Sequence, residues 1–303
     1  MSKVQRATID ATMRQVPFDG SLPPEQMRKD FEAQMTSGPA PAGVTVTPSV
    51  LGGRPALTVE PEGGSATGTI LYFHGGAWVF GSPATALHLT AALVRRTGVR
   101  AVSVDYRLAP EHPFPAAVED GLAAYRDLLD QGVPAERIVL AGESAGGGLG
   151  VTTLLTAREA GLPMPAAAAV FSPGLDATLS GESMTTKHDA DPLFTRADLA
   201  AVFAHYLAAQ DPAQPLLSPA LHADLTGLPP LLLQAGSNEV LLDDSTRFAA
   251  RAAAAGVDVL LDVTADVPHV FQAFAGLLDE ADAALDRAGR FITDALARTD
   301  SRS

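Results

Sequence analysis

The sequence predicts an α/β protein: a mainly parallel central sheet flanked by helices, with a helical cap above it. Three observations carry that expectation. From residue 68 onward, short apolar β-rich runs alternate with helical stretches, the pattern of a parallel sheet covered on both faces. The chain has 303 residues, of which 47% are hydrophobic and 18% charged, enough for one large buried core. Finally, about sixty residues separate two successive strand candidates, far beyond an ordinary crossover.

In order, residues 1–38 read as N-terminal cap helices, broken at Phe18-Asp-Gly-Ser-Leu-Pro-Pro24. Residues 39–303 read as the main domain. It opens on two alternating stretches, Gly43-Val-Thr-Val-Thr-Pro-Ser and Ala56-Leu-Thr-Val-Glu60, joined by a turn at Gly52-Gly53. Strands are then expected at Thr69–Phe73, Arg100–Val104, Arg137–Ala141, Ala167–Phe171, Leu231–Gln234 and Val257–Val263. Helices are expected at Ala84–Thr97, Pro115–Gln131, Ala145–Ala160 and Asp243–Ala255, with a last one over about 279–297. The long interval predicts a cap insertion around 176–210, with a helix at Arg196–Ala208.

Charge and composition exclude several roles. A formal net charge of −14 without a Lys/Arg block repels phosphate backbones and anionic lipid surfaces, so no nucleic acid and no membrane partner is expected. No apolar run approaches the roughly 20 residues needed to span a bilayer. The first ten residues carry charges where a signal peptide needs an apolar core, and cysteine is absent, so the expected location is cytoplasmic. No histidine pair has zinc-site spacing, and no metal is expected. The late strand and final helix offer an edge for a homodimer.

Three segments carry chemistry. Gly142-Glu-Ser-Ala-Gly146 lies where an apolar strand runs into a helix start, the G-x-S-x-G turn that pushes a serine hydroxyl out of a sheet. His74-Gly-Gly-Ala-Trp78 follows an earlier strand, where the N–H groups of Gly75 and Gly76, with that of Ala145, can face a developing oxyanion. Pro268-His-Val-Phe271 follows the last strand, the place from which His269 can reach over the serine. Ser144 is therefore the candidate nucleophile and His269 its base, because a serine hydroxyl is a poor nucleophile without a hydrogen-bonded base. His74 reads as a brace for its loop.

Together with Tyr106-Arg-Leu-Ala-Pro-Glu-His-Pro-Phe-Pro-Ala-Ala117, these segments resemble the bacterial hormone-sensitive-lipase family of α/β-hydrolase esterases from about residue 68 to the C-terminus. The resemblance implies an α/β-hydrolase fold with a cap, hydrolysis of short- to medium-chain carboxylic esters through a Ser144 acyl-enzyme, and no cofactor. Ala77 stands where the family commonly has a third glycine, and its methyl bears on substrate width. Ala77, Trp78, Phe80 and Phe194 are expected to shape the pocket.

The family places its acid in a pattern resembling Gly-x-Asp-Glu-Val-Leu-Leu-Asp-Asp, and this chain reads Gly236-Ser-Asn-Glu-Val-Leu-Leu-Asp-Asp244. Asn238 thus occupies the acid position. An amide there can hold the imidazole but cannot stabilise an imidazolium, so Glu239 is the alternative acid, with Asp266 or Asp243 as more remote ones. If the triad is impaired, the chain becomes a small-molecule binding protein on a hydrolase scaffold, as in the plant gibberellin receptors that resemble the family. An acyl-enzyme that excluded water would instead make an acyltransferase or amide hydrolase.

Overall fold

The computed structural model describes residues 2–298. Eight strands form one sheet: β1 (Val44–Leu51), β2 (Arg54–Pro61), β3 (Ala66–Phe73), β4 (Val99–Val104), β5 (Ile138–Glu143), β6 (Ala167–Phe171), β7 (Leu231–Gly236) and β8 (Val259–Thr264). Their order across the sheet is β1-β2-β4-β3-β5-β6-β7-β8. β1 and β2 form a hairpin turning at Gly52-Gly53, β2 runs antiparallel to β4, and every later pairing is parallel.

Ten helices accompany the strands among the described residues. They are α1 (Ser2–Met13), α2 (Pro24–Met35), α3 (Leu87–Thr97), α4 (Ala116–Asp130), α5 (Ala145–Glu159), α6 (Ser183–Thr186), α7 (Arg196–Leu207), α8 (Pro219–His222), α9 (Leu242–Ala254) and α10 (Asp279–Ala297). Most boundaries lie within two residues of expectation. The largest shifts are of three residues: β3 starts at Ala66 rather than Thr69, and α3 starts at Leu87 rather than Ala84, because residues 84–86 turn through Thr85 and Ser82 first. Among the described residues, no helix is long and apolar enough to cross a membrane.

The two-residue period of a strand divides the core. Leu71, Phe73, Leu140, Val170 and Leu233 pack in the layer holding α4, α5 and α9. Ile70, Tyr72, Val139, Phe171 and Leu232 pack in the opposite layer, with Leu93 of α3 and Leu285 and Ile292 of α10. Such strands are buried on both faces, which is why they read as continuous apolar runs. β8 is an edge strand and leaves Leu260, Leu261 and Val263 exposed.

The sheet delivers its functional loops to one end. β3 leads into residues 74–80, β5 into Ser144, β7 into residues 237–241 and β8 into residues 265–270. Over that end lie α1, α2 and the 176–210 segment. Arg28 of α2 donates to the Val79 and Ala109 carbonyls, each at 2.8 Å, and pairs with Glu111. Arg14 donates to the Asp189 and Ala190 carbonyls at 3.1 Å, which joins the N-terminal segment to the insertion.

Candidate active site

The turn from β5 into α5 needs its glycines for close approach. A Cβ on Gly146 would overlap the Phe73 and His74 carbonyl oxygens, so the chain can fold back under β3 only with hydrogen there. Ser144 adopts φ 53° and ψ −122°, a strained conformation for a residue with a side chain. It occupies the N-cap place of α5 without capping it, and its hydroxyl is left for another partner. That partner is His269, whose Nε2 lies 2.9 Å from Ser144 Oγ.

On its other side, His269 Nδ1 lies 2.6 Å from Glu239 Oε2. Glu239 is fully buried, and its second oxygen, Oε1, accepts from Gly236 N at 2.7 Å and Ser172 Oγ at 3.1 Å. Ser172 Oγ in turn accepts from Val270 N at 3.0 Å, which ties the carboxylate to the histidine loop. The imidazole therefore sits between a hydroxyl and a carboxylate held by three elements. With Nδ1–H donated to Glu239, Nε2 is left as an acceptor for the serine proton.

Asn238 requires a correction. It does not meet His269: its Oδ1 accepts from Ser237 Oγ at 3.3 Å and its N–H donates to Val267 O. The residue one place later, Glu239, is the one that faces the imidazole. Asp266 points away as well, to Arg6, and Asp243 accepts from Ser183 N. Asp244 faces elsewhere too. It is buried and accepts from Leu175 and Asp176 N–H groups, and burial pushes its carboxyl well above the usual range.

The loop after β3 also differs from expectation at one residue. Gly75 donates its N–H to Glu143 Oε1 at 2.7 Å, so that donor faces the protein and not the cleft. Gly76 follows at φ 119°, where a Cβ would overlap the Phe80 carbonyl, and Ala77 and Trp78 continue at positive φ. This crank-shaped backbone leaves the Gly76 and Ala77 N–H groups without an acceptor among the described residues. Ala145 is the first residue of α5, and its N–H also has no intrahelical partner. His74 braces the loop as expected: its Nδ1 meets Gly75 O at 2.8 Å and its ring stacks on Tyr106 at 4.1 Å. Burial lowers its pKa to about 4, so it stays neutral.

Glu143, inside the elbow itself, is the second buried carboxyl of the site. It receives Tyr72 Oη at 2.5 Å as well as Gly75 N, and burial pushes its pKa up to about 7. A raised carboxyl pKa means the folded state holds the proton more tightly than the unfolded chain. Its contribution is present in full below about pH 4.5 and is lost as pH rises to about 7, a fall of about 3 kcal/mol. Glu143→Gln is expected to remove that slope, which urea unfolding of both proteins at pH 4 and pH 8 measures. Parallel pH dependence in the two would contradict it.

Ser144 and His269 open onto a cleft of about 390 Å³. Ala77, Trp78, Phe80 and Phe194 line it, with Phe18, Phe31 and Met35 from the N-terminal segment. Phe194 sets its edge against the His269 ring at 5.1 Å. Phe18 packs on Phe80 and Phe194, and Phe31 on Phe80, so the wall is aromatic and apolar.

A family model for the α/β-hydrolase fold matches residues 70–273. An acetyl-hydrolase of Streptomyces hygroscopicus is 47% identical over 227 residues, 75% of this chain and 76% of its own. An esterase of Acinetobacter venetianus is 36% identical over 286 residues, covering 94% and 93%. Among solved structures, an esterase from the bacterial hormone-sensitive lipase family superposes with a TM-score of 0.92 at 40% identity, over 96% of this chain and 98% of that one. A hormone-sensitive lipase from a metagenome library gives 0.90 at 42% identity, over 95% and 98%. The chain belongs to the bacterial hormone-sensitive lipase family of α/β-hydrolases.

This family member also uses residues that sequence reasoning had not singled out. Ser172 sits at φ 45° and bridges Glu239 to the histidine loop. Tyr72 and Glu143 set the Gly75 peptide from behind, and Asp191 holds the start of α7 against the loop after β7. Only the strand-end position of Tyr72 and the place of Glu143 inside the elbow were available as signals. Ser172 and Asp191 become recognisable once β6 and the insertion are placed beside the triad loops.

Proposed function

We propose that the chain is a serine carboxylesterase acting on short- to medium-chain acyl esters. The observation that carries this reading is the unbroken contact chain Ser144–His269–Glu239 at the floor of an apolar cleft. His269 Nε2 takes the hydroxyl proton as Ser144 Oγ attacks the ester carbonyl, and Glu239 stabilises the imidazolium that forms. The N–H groups of Gly76, Ala77 and Ala145 are placed to receive the developing oxyanion, at the positive end of α5. His269 then returns its proton to the departing alcohol, and water attacks the acyl-enzyme by the same steps in reverse order. Relatives named esterase, acetyl-hydrolase and carboxylesterase support this chemistry.

The test is direct. A p-nitrophenyl acetate assay should show turnover, and an organophosphate should add once per chain, at Ser144, by mass spectrometry. Labelling at any other residue, or turnover untouched by full labelling, would refute the assignment.

Residues 1–38 and 176–210 act in this reading as a cap that sets chain length. Val16, Phe18, Phe31 and Met35 line the cleft far along the chain from Ser144 and offer apolar surface to an acyl or alcohol tail. Deleting residues 1–38 is expected to lower kcat/KM for octanoate esters at least about tenfold more than for acetate. Each methylene withdrawn from apolar contact is worth about 0.8 kcal/mol, so two suffice. An unchanged chain-length profile in a folded truncation would place specificity elsewhere.

A further inference from the structure

The acid loop after β7 is held from above. Val240, the residue that follows Glu239, is fully buried, and both of its backbone polar groups end on side chains of the 176–210 segment. Its N–H donates to Asp191 Oδ2 at 2.8 Å, and its carbonyl accepts from Ser183 Oγ at 2.5 Å. Ser183 is fixed in turn by Asp243, through Ser183 N to Asp243 Oδ2 at 2.9 Å and Asp243 N to Ser183 Oγ at 3.1 Å.

Asp191 faces two ways. Its other oxygen, Oδ1, accepts from Leu193 N at 2.8 Å and Phe194 N at 3.0 Å, which fixes the backbone of the residue packed on the His269 ring. One carboxylate, 5% exposed, therefore holds the peptide after Glu239 and the aromatic side chain against the histidine. A buried carboxylate is costly, and with Arg14 acting on it only through space, it persists here through three backbone donors. A cap that only covered substrate would have no physical need of a buried charge on this loop.

We propose that Asp191 and Ser183 are positioning residues that lock the Val240 peptide, so that the seated cap segment aims Glu239 at His269 and couples pocket closure to triad alignment. The proposal rests on the esterase reading. The geometry explains how it acts: Glu239 reaches His269 from a turn, and a turn is easier to displace than a strand. Losing either anchor lets the Val240 peptide rotate toward water, which shifts the carboxylate that must meet Nδ1. Asn at position 191 can offer only one oxygen. Its amide NH₂ would face either the Val240 N–H or the two N–H groups at 193 and 194, donor against donor.

Asp191→Asn is expected to lower kcat for p-nitrophenyl acetate about ten- to a hundredfold, the effect of a displaced catalytic group. KM for this small ester should change less than about threefold, since acetate fills little of the cleft. Ser183→Ala, which deletes a single hydroxyl, should lower kcat in the same direction and by less. Proton NMR reads the aimed hydrogen bond itself: the downfield Nδ1 proton of His269, hydrogen-bonded to Glu239, should shift or broaden in both variants, including Ser183→Ala, whose side chain holds Val240 and not Phe194. The charged groups facing that ring are Glu239, Glu143 and Asp191, and only the last changes in Asp191→Asn. If Asp191→Asn does not fold, Ser183→Ala decides alone. A loss confined to KM, or unchanged kcat with an unchanged Nδ1 signal in every folded variant, overturns the proposal while leaving the esterase reading intact. A wild-type chain that neither turns over ester nor labels at Ser144 overturns that reading instead.

Discussion

Ser144→Ala is expected to lower kcat on p-nitrophenyl acetate about 10⁶-fold, the size of loss seen when a triad serine is removed. The hydroxyl is the only group at the elbow that can form the acyl bond, and no neighbouring side chain can take its place. His74 is stacked under Tyr106 and Glu143 is held by Gly75 and Tyr72. What remains is the oxyanion donors and the cleft, which together supply roughly 10³–10⁴ over water. Stability should barely change, within about 1 kcal/mol. Alanine meets the same backbone strain at φ 53°, and the lost hydrogen bond joins two groups at the floor of the cleft. Steady-state kinetics with a thermal melt as the folding check measures both. Activity within tenfold of the wild type would remove Ser144 from the mechanism.

Much of this architecture is legible in the sequence. Strands buried on both faces announce themselves as apolar runs, and Gly52-Gly53, Gly142 and Gly146 mark the places where the chain must turn tightly. Ser144 and His269 were legible because strand ends project loops to one edge of a parallel sheet, which makes position after a strand a proxy for position in space. The acid was not legible to the residue. Within Gly236–Asp244, which side chain turns toward His269 depends on how the loop packs under Ser183 and Asp191, and no local pattern encodes that. Gly75 failed for a related reason. A backbone N–H has no sequence signature, and its direction is set by Glu143, a residue from another strand. Asp191 and Asp244 carry no signal of burial in the sequence, because burial of a carboxylate is visible only when its backbone donors are in place.

Glu239→Gln should lower kcat about 10⁴-fold, or roughly 5.5 kcal/mol, while Asn238→Asp changes it by no more than about twofold. The asymmetry follows from the donors around the acid. Glu239 Oε1 already accepts Gly236 N and Ser172 Oγ, and Oε2 accepts His269 Nδ1. A glutamine must put its NH₂ at one of these two places. Turned toward Gly236, the NH₂ meets an N–H donor, a buried clash of like groups that pushes the loop away. Turned toward His269, it accepts nothing and selects the tautomer with the proton on Nε2, which cannot take the proton of Ser144. Either way no charge is left to stabilise the imidazolium. Asn238, by contrast, touches Ser237 Oγ at 3.3 Å and lies outside this network, so a carboxylate there has no imidazole to serve. Steady-state kinetics on the two single variants separates the positions. A large gain in Asn238→Asp together with an indifferent Glu239→Gln would mean that the loop after β7 turns the other way in the working enzyme. The opposite pattern makes Glu239 the acid, one residue beyond the place that the family pattern implies.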